Sequence, residues 1–466
     1  MPAPKKISIH WKQHQSLGII LILGIIHGLL YVYLVPPWQH YDEPSQLEYA
    51  WLIADTDNHP KPGDYNQAMR REAAASMIEH DFFSGLDFVP NLLPADAPAW
   101  IGISQISDAP LYFQIVSLPL RLIHGSDITF QFYISRMVSL VLFLVSIIAG
   151  YGVIKEITPD KHPLRWMVPI TLALLPSYVD LMTAVNNDVG ATAFFSLFLW
   201  GSVTMIQRGF SWPRFLWIGV AAIVCGSTKN TVMIAYALVL IPVLFGIFRD
   251  SRQMIAWSIL IVAGIGLLLA IYPWGQAANW VNPKLDTFIN KIAYIKPSLV
   301  ITSIRDWENT NWYYQSTLVN LGRTFWAKFG WGHVSLIGSK PYRLLGITTL
   351  LGVAGALGKI IRHWKHQPCV LILLFGAAMA AIWGAALTRG LGSIYTDKVF
   401  IPAARYAYPA IIPTVILLNS GWLEITQQIN HRLHIPRKYI LAAYVGCFLG
   451  LDILSAVSIM LFYASI

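Results

Sequence analysis

Long apolar runs dominate the chain, and polar residues gather between them. Runs at 17–35, 128–150, 165–179, 188–206, 214–229, 231–248, 253–273, 343–361, 367–387, 406–424 and 439–463 approach the roughly 20 residues a membrane-crossing helix needs. They predict an all-α polytopic membrane protein of about eleven transmembrane helices, forming a single integral membrane domain over 1–466. One further apolar stretch, 111–123, is short and carries Pro119 and Arg121 near its end. The polar segments include two long ones, 36–127 and 274–342.

Charge assigns the sides. With a cytoplasmic N-terminus and 111–123 not crossing, the inner segments carry Lys5, Lys6 and Lys12, then Lys155, Lys161 and Arg165. They continue with Arg208 and Arg214, Arg249 and Arg252, Lys359, Arg362 and Lys365, and finally Arg432, Arg437 and Lys438. Every short inner segment is then basic, as the positive-inside rule requires. If 111–123 crossed, the later loops would change sides and the basic ones would mostly face outward, so it reads as an interfacial or re-entrant helix. The segments 36–127 and 274–342 become external loops, and an external site is expected. No cleavage site follows the first apolar run, which reads as a retained span.

Composition agrees. At 55% hydrophobic and 12% charged residues the chain is too apolar for an ordinary soluble protein. Its net charge of +9 therefore belongs to membrane topology, and no nucleic-acid partner is expected. The aromatic content of 13%, with 18 Trp, suits wide interfacial belts. Cys225, Cys369 and Cys447 lie in apolar runs without metal spacing and read as small hydrophobes.

The stretch WQHYDEPSQLEYAW, residues 38–51, follows the first span. Leu47, Ala50, Trp51 and Ala54 recur at i, i+3, i+4 and i+7, which predicts an amphipathic helix on the membrane surface with Pro44 in its first turn. Asp42 and Glu43 then stand at a helix start, where the macrodipole favours negative charge. They are either helix-start acids or a catalytic carboxylate pair at the lipid–water boundary. Other polar residues fall on the same side: Asn186, Asn187 and Asp188, Lys229 and Asn230, Arg405 and Tyr406, with Arg136 about two turns into the second span. Each has a plain alternative: capping for Asn187 and Asp188, snorkelling for Lys229, headgroup anchoring for Arg405, packing for Arg136. Asp452, in the last span, has no obvious partner and no assigned role.

Together these residues read as acids and cations around one outer cavity. Cations beside a membrane suggest a lipid-borne phosphate. One base and a cationic clamp suffice for inverting sugar transfer from a lipid phosphate, whereas a hydrolytic glycosidase normally needs a second carboxylate. No P-loop and no strand-linked GxGxxG is present, so no nucleotide cofactor is expected. Nucleotide sugars are cytoplasmic, and a flipped lipid-linked donor fits an external site better.

The order of these motifs resembles the GT-C-fold membrane glycosyltransferases, a superfamily that includes protein O-mannosyltransferases and aminoarabinose transferases. Tyr41-Asp42-Glu43-Pro44 matches the acidic pair that opens their first external loop, and APLYFQI at 109–115 matches its end. Arg136 matches an early arginine of the next span, and Asn187-Asp188 the polar residues after the third. Phe329-Gly330-Trp331 and Arg405-Tyr406-Ala407-Tyr408-Pro409-Ala410 resemble stretches of a bacterial branch without assigned substrates. Asp108-Ala109-Pro110 stands where many members have His-Pro-Pro.

The resemblance implies an enzyme of the bacterial cytoplasmic membrane, set among its lipids. It would move a sugar from a polyprenyl-phosphate donor to a hydroxyl on an extracytoplasmic glycan, lipid or protein acceptor. Asp42 would be the base, and Glu43 would support it or help bind a metal. Lys229, Arg405 and Tyr406 would hold the donor phosphate, while Arg136, Asn187 and Asp188 would support the site. Metal dependence varies across the superfamily and stays open. The rival readings are a transporter or flippase of lipids or lipid-linked sugars, which Asp452 favours, and a surface-polysaccharide polymerase or ligase, for which Arg305, His333 and Arg343 are available.

Overall fold

The computed structural model describes residues 7–56, 59–84, 88–93, 98–247, 297–362, 368–396 and 399–465. Almost all regular structure among them is helical, with one two-stranded hairpin. Eight helical segments are long and apolar enough to cross a membrane. The all-α, membrane-type architecture therefore stands, but the expected count of about eleven spans is not reached among the described residues.

The difference has local causes. The expected span 165–179 breaks into α6 (Leu164–Leu174) and α7 (Pro176–Met182). Leu175 between them is extended, because a residue before proline is driven out of the helical region. The expected span 214–229 is a helix of only 15 residues, Trp212–Gly226. The expected span 253–273 lies outside the described residues.

The long helices bury one another through small residues. Helix α14 (Lys340–Arg362) packs on α16 (Ile411–Leu433), where a Cβ on Gly421 would overlap the Gly352 carbonyl. The most enclosed long helix is α8 (Asn187–Arg208), which lies against α5 (Ile128–Ile157).

Residues 36–127 fold into α2 (Glu43–Asp55), α3 (Gln67–Glu79) and α4 (Leu111–Ile123). The expectation of an amphipathic surface helix after Pro44 is corrected here. Residues 43–53 of α2 are all buried, under α4 and α3. Its polar side chains tolerate this because they find partners. Glu48 meets Arg70 at 2.5 Å, Gln46 accepts from the Asn187 amide at 3.2 Å, and Tyr49 bonds His59 at 3.2 Å. The described part of 274–342 forms α12 (Pro297–Arg305), α13 (Trp307–Trp326) and a hairpin of β1 (Lys328–Phe329) and β2 (Val334–Ser335). The C-terminal end of α1 (Ile7–Leu34), the starts of α2 and α8, this hairpin and the turn at Ala404–Ala410 meet at one end of the bundle.

Candidate active site

The site is built on the turn that leaves α1. Its frame is Arg136, fully buried on α5. Arg136 donates to the carbonyls of Val32 (2.7 Å), Val35 (2.8 Å) and Pro36 (3.1 Å). These are orphan acceptors at the end of α1, which a guanidinium satisfies well. Its two remaining donors grip Glu43, Nε to Oε1 at 3.0 Å and Nη2 to Oε2 at 2.8 Å. All five guanidinium protons are thus used. Glu43 is equally saturated, accepting also from the amides of Val185 (3.0 Å) and His40 (3.3 Å).

Glu43 does not line the cavity described below. Expected to support Asp42 or help bind a metal, it is placed behind the cavity, with its four lone pairs engaged by Arg136 and two backbone amides. Burial pushes its carboxyl up, but Arg136 and the His40 side prevail and hold it below the ordinary value. The lower folded value makes the pair's contribution to stability complete above the ordinary carboxylate range. That contribution fades as the pH falls through the folded value.

With Glu43 anchored, Asp42 is forced outward. It adopts a left-handed conformation, φ 61°, which acidic and amide residues tolerate better than most. Its Oδ2 accepts from Arg405 Nη2 at 2.9 Å. The Arg405 guanidinium lies over the Tyr41 ring at 4.2 Å and the Tyr406 ring at 4.7 Å, and also donates to the Tyr406 hydroxyl at 2.8 Å. Tyr41 stays a neutral phenol, because burial raises its pKa more than Arg405 lowers it.

Asp42, Tyr41, Arg405 and Tyr406 line a cavity of about 670 Å³ together with Arg323 and Lys328. Sequence reasoning missed the last two. Arg323 rides the last turn of α13 and Lys328 begins the hairpin, inside a segment read only as loop. The one available signal was their flanking of the Phe329-Gly330-Trp331 stretch. The hairpin also brings Trp331 to the cavity, its indole donating to the Trp38 carbonyl at 3.3 Å. Gly332 allows this with φ 85°, and a Cβ there would stand 2.5 Å from the Tyr41 hydroxyl. Gly332→Ala is expected to cost about 1–2 kcal/mol in the left-handed turn and to displace Tyr41, which thermal unfolding and substrate affinity would both register.

The expected cationic set does not form as one group. Lys229 is absent from the cavity lining. It meets Asp188 Oδ1 at 2.6 Å and donates to Asn187 Oδ1 at 2.6 Å. Asn187 in turn donates to Asp108 at 2.7 Å, and Asn186 caps α8 while donating to the Tyr41 carbonyl at 2.9 Å. Lys229, expected at a donor phosphate, is thus placed against a buried carboxylate and away from the Arg405 side of the cavity, with Asp188 within electrostatic reach of Arg405 as well. Lys229→Met and Asp188→Asn are expected to be non-additive by about 0.5–3 kcal/mol in a double-mutant cycle of thermal stability.

A second carboxylate was also missed. Asp180, on α7, lies 3.2 Å from His40 Nδ1. With Lys328, Arg405 and Tyr408 the pair lines a space of about 20 Å³ behind Tyr41, room for one water. Asp452 does have partners, His27 Nε2 at 2.5 Å and the Tyr31 hydroxyl at 3.1 Å, and it does not line the cavity. Among the described residues no three His, Cys, Asp or Glu side chains gather as a metal site would need.

What the cavity offers chemically is one carboxylate, several fixed cations and an aromatic wall. No family model, curated protein or solved structure matches the chain.

Proposed function

We propose that the chain is a membrane glycosyltransferase that takes a sugar from a polyprenyl-phosphate donor and passes it to a hydroxyl of an extracytoplasmic acceptor. The observation that carries this reading is Asp42, turned into a cationic cavity by a fully buried Glu43–Arg136 frame and held there by Arg405. In the reaction, Asp42 removes the proton of the acceptor hydroxyl. The freed oxygen attacks the anomeric carbon, the bond from that carbon to the phosphate oxygen breaks, and the phosphate leaves with the electron pair. Attack opposite the leaving group inverts the anomeric centre. Cations around the cavity meet the charge that collects on the phosphate.

The setting is a bacterial cytoplasmic membrane with the N-terminus inside and the cavity outside. Its support is charge: α8 begins beside the turn that carries Tyr41, whose carbonyl accepts from Asn186, and ends at Arg208, while α14 and α16 end with Arg362 and Arg432. Basic residues thus collect at the end away from the cavity, which the positive-inside rule places in the cytoplasm.

A polymerase or ligase of surface polysaccharide is the second reading, favoured by the second loop supplying Arg323 and Lys328 to the cavity. Its chemistry at Asp42 would be the same, and the size of the transferred unit separates the two. Asp452, the residue that favoured the transporter reading, is engaged by His27 and Tyr31 and does not line the cavity. The test is transfer of label from a panel of polyprenyl-phosphate sugars in membranes, with wild type and Asp42→Asn at matched expression. Equal transfer by both would remove Asp42 from the chemistry, and no transfer from any donor would remove the enzyme reading.

A further inference from the structure

The space of about 20 Å³ behind Tyr41 is walled by polar groups that the fold leaves partly unsatisfied. The break at Leu175-Pro176 supplies one wall. It starts α7 afresh, and Ser177, Asp180 and Leu181, at i, i+3 and i+4, turn one face of that short helix to the space. Ser177 pins this face to the hairpin, its hydroxyl accepting from the Lys328 amide at 2.8 Å. Several of the other polar groups around the space are spent. Tyr408 donates to the Thr324 carbonyl at 3.1 Å, the Thr324 hydroxyl accepts from the Ala404 amide at 2.8 Å, and Lys328 donates to Asn320 at 3.2 Å. Three lining atoms are not. His40 Nε2, Asp180 Oδ1 and Arg405 Nε are buried without a hydrogen-bond partner among the described residues. His40 is 2% exposed and Asp180 5%. His40 Nδ1 approaches Asp180 Oδ1 to 3.2 Å, in ion-pair range but without hydrogen-bond geometry, which leaves that oxygen open.

The chemistry of these three atoms selects the occupant. Arg405 Nε only donates, and the Asp180 carboxylate oxygen accepts. A metal ion would meet the charges of Arg405 and Lys328, and an anion would meet Asp180. One water satisfies all three: it accepts from Arg405, donates to Asp180 and meets His40 Nε2 with its remaining capacity. Buried waters make two to four such bonds to groups otherwise left without partners, and a space of this volume holds one.

We propose that Asp180, backed by His40, is a positioning residue that holds Arg405 through one enclosed water and so fixes the guanidinium that grips Asp42. A guanidinium is planar, so fixing two of its nitrogens fixes its plane. Nη2 meets Asp42 Oδ2 at 2.9 Å and the Tyr406 hydroxyl at 2.8 Å, and the water fixes Nε. The turn after α1, the broken helix α7 and the turn at Ala404–Ala410 thereby form one wall behind Asp42. The consequence for sugar transfer rests on the glycosyltransferase reading; the link from Asp180 to Arg405 does not.

The experiment has two arms on the full-length protein: a density map fine enough to show ordered water, and transfer of label from polyprenyl-phosphate sugars. Wild type is compared with Asp180→Asn, which keeps an oxygen that accepts from the water, and Asp180→Leu, which is similar in shape and accepts nothing. The wild-type map is expected to show one water about 2.7–3.2 Å from both the Asp180 carboxylate and Arg405 Nε. In Asp180→Leu the Arg405 plane is expected to turn away from Asp42. Transfer at saturating donor is then expected to fall about tenfold to a hundredfold, the scale of a misplacement near 1 Å. Asp180→Asn is expected to keep the water, the plane and most of the rate, a rescue that loss of packing alone would not give. Should Asp180→Leu fail to fold, Asp180→Ala removes the acceptor without adding bulk and carries the same comparison. A space without water in wild type, or an Arg405 plane unmoved when the acceptor is removed, would overturn the proposal. Full transfer by Asp180→Leu beside an active wild type would also overturn it and leave the glycosyltransferase reading standing. The water and the turned guanidinium without transfer from any donor by wild type would uphold the link and remove that reading.

Discussion

Asp42→Asn is expected to lower sugar transfer by about 10²–10⁴-fold, the usual contribution of a positioned general base. The substitution suits this position because asparagine accepts the left-handed conformation, φ 61°, about as readily as aspartate. An alanine would add backbone strain of about 1–2 kcal/mol and confuse the result. Asparagine also keeps an oxygen that can accept from Arg405, which now stands 2.9 Å from Oδ2. What it loses is the charge and the ability to take a proton. A fall in the rate of transfer at saturating donor, with little change in donor affinity, is the expected pattern. A change in affinity alone would instead make Asp42 a binding residue.

Glu43→Gln is expected to destabilise the protein by an amount on the order of 3–5 kcal/mol, the cost of breaking a buried ion pair from one side. Both partners are fully buried, and Arg136 would be left with its charge uncompensated among the carbonyls that end α1. Arg136→Lys is expected to do similar harm, because an ammonium cannot reproduce the five-donor fork. Pairing Glu43→Gln with Arg136→Met is expected to recover part of the loss, since no buried charge then remains. The midpoint of thermal unfolding in detergent, followed by loss of the monodisperse species, measures all three. A Glu43→Gln protein as stable as wild type but unable to transfer sugar would return Glu43 to a chemical role.

These two neighbours show how far the sequence could be read. The acidic pair was visible as a pair, at a helix start after the first span, and nothing in the local pattern separated its members. The structure separates them by direction. Glu43 points inward to Arg136, 93 residues away in sequence, and Asp42 points outward to Arg405, 363 residues away. Arg405 and Tyr406 were legible as polar residues at the start of an apolar run, and the structure brings both to the cavity. Lys229 looked equivalent to Arg405 by the same criterion, yet it is spent on Asp188. Arg323 and Lys328 carried only their position before the Phe329-Gly330-Trp331 stretch, and Asp180 carried no periodic or positional mark.

The sequence by itself determined the all-α, membrane-type architecture. Long apolar runs must bury their backbone hydrogen bonds within helices, and that requirement acts on each run separately. Tertiary structure alone decided that α2 is buried rather than on a surface, that one expected span breaks at Leu175-Pro176, and which charges face one another. Helix formation depends on neighbours within a few residues, whereas the pairing of charges depends on where distant helix ends come to rest. Each buried charge was bound to find a partner, but only the folded chain determines which one.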